Sequence, residues 1–180
     1  ILLLLLLNIN LILMINGYPQ YEDCKNSVNW IVGGKFGNMG IPTFSDGTKK
    51  NDCILDVIDN SNSQKVQTIK PCGKYTISIT SPINAGHKIV VNTGILSGHP
   101  DFKSNPQTAN DQTCRYAYKQ SKSLYSFEAP QNNKQSVVIK VLCGRDQMFL
   151  TTKTLSFTND KEDLENCQQQ KIYNGYLRIE

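Results

Sequence analysis

The chain has 180 residues, 39% of them hydrophobic, with 19 Lys and Arg against 15 Asp and Glu for a net charge of +4. Lys49 and Lys50 form the one adjacent basic pair, and so diffuse an excess excludes a nucleic-acid module, whose basic residues cluster on one face. The length remaining after a leader supports one domain with a real core, not two.

Residues 1–17 read as a secretory leader. Ile1 to Leu7 is an unbroken aliphatic run that continues, past Asn8 and Asn10, to Ile15. Gly17 supplies the small residue that a cleavage site needs, so the mature chain is expected to begin at Tyr18. A membrane span is the competing reading, and the apolar stretch falls short of the ~20 residues a bilayer core requires. The sequence opens on Ile1 with neither Met nor a basic stretch, so the true start is expected upstream. No later stretch is apolar enough to span a membrane, and residues 173–180 lack the hydrophobic tail of a lipid-anchor signal. The expected location is therefore secreted and extracellular. No N-x-S/T sequon occurs, which leaves the surface free of N-glycans.

Residues 18–52 are rich in Gly, Asn and Pro, with turn formers at Gly33-Gly34, Gly37-Asn38, Gly40 and Asp46-Gly47. They predict an irregular N-terminal segment tethered by a disulfide. From residue 53 the period becomes two. Strands are predicted at 53–58, 74–80, 88–93, 114–119, 124–129 and 136–143, with a strand pair or a long edge strand at 148–157. In 74–80, Tyr75, Ile77 and Ile79 alternate with polar residues, as one buried and one wet face require. Residues 136–143 are the most hydrophobic segment and the best candidate for a central strand. The acidic residues Asp160, Glu162, Asp163 and Glu165 suit the first turn of a short helix over 160–167. No long amphipathic helix separates the strands. The fold expected for 53–180 is a single all-β, immunoglobulin-like antiparallel sandwich with a short C-terminal acidic helix and tail.

Six cysteines, Cys24, Cys53, Cys72, Cys114, Cys143 and Cys167, lie beyond the leader. An even number in an oxidising compartment predicts three disulfides, and the sequence does not choose among the pairings. No two of them have the short spacing of a zinc site.

Other motifs carry little chemistry. Ile31-Val32-Gly33-Gly34 looks like the mature N-terminus of a trypsin-like protease, but Trp30 precedes it and no Gly-Asp-Ser-Gly segment follows. His87 and His99 are the only histidines, and no third metal ligand is evident beside them. A copper polysaccharide monooxygenase begins its mature chain with His, where Tyr18 stands here. No G-x-S-x-G elbow occurs, and residues 160–165 lack the spaced ligands and glycine of a calcium loop. The expectation is no catalytic residue, no metal and no cofactor. Aromatics are the remaining class suited to ligand contact. Trp30, Tyr116, Tyr118, Tyr125, Tyr173 and Tyr176 are the candidates for stacking on sugars or anchoring a partner.

Several stretches together resemble the reeler domain, a secreted β-sandwich module of reelin and of small insect defence proteins. They are Tyr18-Pro19 followed by Cys24, the strand Lys74-Tyr75-Thr76-Ile77-Ser78-Ile79, and Ala85-Gly86-His87-Lys88-Ile89-Val90-Val91. Cys114-Arg115-Tyr116-Ala117-Tyr118 follows, then Leu124-Tyr125-Ser126-Phe127-Glu128-Ala129-Pro130 before a valine-rich strand at 137–142. The resemblance covers about 75–157 and lacks the family's early Met-x-Pro-x-His stretch and the Trp before Ala-Pro. It implies a non-enzymatic extracellular binding or matrix module, in some members linked to innate defence. The expected partner is an extracellular protein or a polysaccharide, with no nucleic acid and no membrane span. A small secreted hydrolase or inhibitor, the latter with residues 94–112 as its protruding loop, is the alternative from another class. A structural coat or matrix component is the third.

Overall fold

Alternating apolar and polar residues make most of the described residues strand. The computed structural model describes residues 43–45, 53–81, 86–98, 112–117, 121–131, 135–144 and 148–176, the side chains of 43–45, 116, 148 and 170–176 excepted. Its elements are β1 (Thr43–Ser45), β2 (Ile54–Asp59), β3 (Thr68–Ile69), β4 (Lys74–Thr80), β5 (Gly86–Val91), β6 (Ile95–Ser97), β7 (Cys114–Ala117), β8 (Lys122–Glu128), β9 (Val137–Gly144), β10 (Met148–Phe157) and α1 (Lys161–Tyr176).

The strands form two sheets. The larger has the order β1-β10-β9-β5-β7, with β3 also on β10, and the smaller has the order β2-β4-β8-β6. Their facing rows interlock into one core. Leu55, Val57, Tyr75, Ile77, Ile79, Tyr125, Phe127 and Leu96 come from the small sheet, and Ile89, Val91, Val137, Ile139, Val141 and Leu155 from the large one. Burying each such side chain contributes roughly 1.5–3 kcal/mol. β9 lies between β10 and β5, in the central position expected of the most hydrophobic segment. Its neighbour β5 is buried along its whole length.

Three expectations are corrected. Residues 148–157 form one ten-residue strand inside the large sheet, not a pair or an edge. Both β1 and β3 run parallel to it, at Thr43↔Phe149 and Ser156↔Thr68, so the large sheet is mixed instead of antiparallel. These partners arrive from distant parts of the chain, and strands of two or three residues show no period of their own. The helix runs to Tyr176, past Cys167, because the polar residues that follow contain no proline and continue the turn.

Two disulfides brace opposite ends of the sandwich. Cys53–Cys143, 90 residues apart in sequence, joins the entry to β2 to β9 and so ties sheet to sheet. Cys72–Cys167, 95 apart, joins the β3–β4 loop to α1. Cys114 is buried in β7, and Cys24, needed for a third bridge, lies outside the described residues. The turn between β5 and β6 needs Gly94, whose φ is +93°. A Cβ there would meet Phe127 Cε2 at 2.5 Å and the Glu128 carbonyl oxygen at 2.7 Å, a left-handed position that glycine takes without penalty.

At the Cys53 end, Ser81 is buried and, among the described residues, its hydroxyl finds no hydrogen-bond partner. Its amide is satisfied by Ser121 O at 2.8 Å. A buried hydroxyl without a partner keeps its desolvation cost. Ser81→Ala is therefore expected to raise stability by about 1 kcal/mol, read as a higher denaturation midpoint. A loss of that size would show that the hydroxyl is satisfied.

Candidate functional site

The outward face of the small sheet is the candidate site. Strand pairing sets its residues in rows across the sheet: Ile54–Thr80–Lys122, Asp56–Ser78–Leu124, Ile58–Thr76–Ser126–Ser97, and Lys74–Glu128–Ile95. Side chains alternate along each strand, so Tyr75, Ile77 and Ile79 fill the core while Thr76, Ser78 and Thr80 look outward. Polar residues belong on that face. Ile54, Leu124 and Ile95 do not, and they remain 47%, 44% and 41% exposed. Ser78 lies in the middle, nearly covered by the taller side chains around it. Leu124 pairs directly with it on β8, about 5 Å across, and Ile54 and Ile58 lie one strand over and two residues along on β2, roughly 8 Å away.

Both edges of this sheet are already occupied. Along β2, Val66 N donates to Val57 O at 2.8 Å, Asp59 N donates to Gln64 O at 2.9 Å, and Lys65 forms an ion pair with Asp56 at 2.8 Å. The turn between is held by the Asp59 carboxylate, which accepts from Ser61 N and Ser61 Oγ. Those hydrogen bonds keep its pKa below the ordinary value. Along β6, Leu96 N donates to Gln112 O at 2.6 Å and Arg115 Nη2 donates to Leu96 O at 2.5 Å. Edge strands capped in this way offer few groups for strand addition, so the small sheet meets solvent through its face.

Of the aromatic candidates, Tyr125 belongs to the core. It is fully buried, and its hydroxyl lies 2.9 Å from His87 Nε2 with the rings edge to face at 5.9 Å. Burial pushes the phenol well above its usual range, so it stays neutral. Tyr116 is in β7, and Tyr173 and Tyr176 are in α1, but their side chains, with Trp30 and Tyr118 entire, lie outside the described residues. So do His99 and residues 99–111 of the expected protruding loop. The described aromatics of the small sheet, Tyr75, Tyr125 and Phe127, all face inward. Among the described residues no three His, Cys, Asp or Glu side chains gather as a metal site requires, and no helix is long and apolar enough to cross a membrane.

The sequence reasoning missed Ile54, Leu124 and Ile95, although one signal was present. In Leu124-Tyr125-Ser126-Phe127 the leucine is out of phase with the two core aromatics, which puts an aliphatic group on the wet face.

The fold and its disulfides define a disulfide-braced β-sandwich. It is reeler-like. The chain is similar to the reelin-N domain of F-spondin, at 13% identity and TM-score 0.49 over 66% of this chain and 93% of that one. It is also similar to the human F-spondin reeler domain, at 11% identity and TM-score 0.49 over 65% and 95%. A putative superoxide reductase from Thermotoga maritima aligns at 14% identity and TM-score 0.38 over 66% and 95%. These likenesses concern the fold alone. No family model and no curated protein matches the chain.

Proposed function

We propose that the chain is a secreted, non-enzymatic binding module that contacts an extracellular partner protein through the outward face of its small sheet. One observation carries this reading. Three aliphatic side chains stand 41–47% exposed on a sheet whose edges are capped, so the face is the open surface. Exposed aliphatic groups on an open sheet face supply the apolar area that a protein contact buries. Charge on the face is balanced, with Lys74 and Lys122 against Asp56 and Glu128, which fits the mixed surface of another protein.

A partner protein is favoured over a polysaccharide because the described aromatics of this sheet point inward. That leaves no described flat ring on the face for a sugar to stack on. The non-enzymatic reading is supported by His87, whose imidazole is enclosed in the core. A place in matrix assembly or innate defence is what the reeler resemblance adds.

The test uses the purified chain on immobilised extracellular proteins and on insoluble cellulose, chitin and bacterial cell wall. Capture of a protein partner is expected, weakened about tenfold or more by Leu124→Glu combined with Ile54→Lys, with folding unchanged. Equal capture by the double variant would move the contact off this face. Salt-resistant retention on a polysaccharide would replace the protein partner with a glycan.

A further inference from the structure

The two bridges hold different things. Cys53 and Cys143 are both almost wholly buried and cross the core between the sheets. Cys72 is part-exposed in the β3–β4 loop, and its bridge holds only α1.

Among the described side chains of α1, those of 161–169, little else holds the helix. Most helices in proteins are stabilised by packing an apolar stripe. Over 161–169 the one buried side chain is Cys167, and the one other apolar side chain, Leu164, is half-exposed. Among the described residues the remaining side-chain ties meet at Asp163, which accepts from Lys70 Nζ at 2.9 Å and from Thr158 Oγ1 at 3.0 Å. The hydrogen bond from Lys70 leads in holding this carboxyl below its ordinary pKa. The lysine end of this ion pair is open to solvent, and pairs with an exposed partner are weak.

The loop on the other side of the bridge is fixed without the helix. Lys70 N donates to Tyr75 Oη at 2.6 Å, Ala129 N donates to Gly73 O at 2.9 Å, and Cys72 N donates to Pro130 O at 3.4 Å. Cys72 sits at φ +56°, a conformation unfavourable for a residue with a Cβ. These bonds keep it there from the sandwich side.

We propose that Cys72–Cys167 is a reductively opened latch, through which an external dithiol frees α1 from an intact sandwich. One thiolate of the dithiol attacks a sulfur of the bridge, forms a mixed disulfide and expels the other cysteine as a thiolate. The second thiol of the reagent then closes its own disulfide and frees the first cysteine. Two electrons pass to the protein's bridge, which takes up two protons, and the dithiol is oxidised. A free sixteen-residue helix is marginal in water, so opening the latch also unwinds it.

The test titrates the full-length chain with dithiothreitol, then traps thiols by alkylation and maps them by mass spectrometry alongside amide exchange. Cys72 and Cys167 are expected to label at reductant levels about tenfold lower than Cys53 and Cys143. Amides of α1 are expected to exchange at least about tenfold faster while those of β4, β8 and β9 keep their protection. Labelling of Cys53 and Cys143 first or together with the pair would overturn the proposal. So would an α1 that stays protected once its bridge is open. The Cys72→Ser/Cys167→Ser variant checks this without reductant, because its sandwich should remain protected and its helix should not.

Discussion

Replacing Cys53 and Cys143 together by alanine is expected to lower the unfolding free energy by about 4–5 kcal/mol, because their bridge closes a very long loop in the unfolded chain. The separation is 90 residues, and the entropy a cross-link removes from the unfolded chain grows with the logarithm of loop length. Both positions lie in the core cluster, and alanine there adds no polar atom to it. Most domains are stable by only about 5–15 kcal/mol, so the variant should be close to its limit at body temperature. Denaturant unfolding checks this twice. The midpoint should fall, and the slope should rise, because an unfolded chain freed of the bridge exposes more surface. A loss below about 1 kcal/mol would mean that the bridge merely decorates a core already sufficient without it.

Phe127→Ala is the second large effect, expected at about 3–5 kcal/mol, the usual loss when a buried aromatic ring is truncated. Phe127 is 1% exposed and packs on Tyr75, with ring centroids 6.5 Å apart. It also covers Gly94, where no side chain is available to fill the void. The contrast with Leu124, three residues earlier on the same strand, makes the measurement specific. Leu124 faces solvent, and its truncation should cost within about 0.5 kcal/mol. Equal losses at both positions would mean that the phase of β8 is misread.

That phase was legible in the sequence. Tyr75, Ile77 and Ile79 on β4, and Val137, Ile139 and Val141 on β9, alternate plainly, and the structure puts both sets in the core. Strand existence followed from period two, and the central place of β9 followed from its hydrophobicity. Partnership across the sheets did not follow. The parallel pairing of Thr43 with Phe149 is a long-range contact, and β1 and β3 are too short to show any period. The site was legible only in part. Aromatic residues drew attention as contact candidates, yet Tyr125 owes its size to core packing. The informative residues were aliphatic ones at a polar phase, such as Leu124, and only the pairing register shows that Ile54 and Ile58 share a face with it.

The pairing of the cysteines carries a consequence for biosynthesis. In chain order the described bridges interleave, since Cys72 falls inside the Cys53–Cys143 loop while its partner Cys167 falls outside it. Where the chain is oxidised as it is made, Cys53 and Cys72 are available long before either partner has been made. The nearest thiol each can meet is the wrong one. Proximity along the chain therefore favours a Cys53–Cys72 error, and the correct cross-links are chosen late, after β9 and α1 emerge. Oxidative folding of this domain is therefore expected to require reshuffling of premature bonds, and a chain cut short before residue 143 has no native partner for either early cysteine.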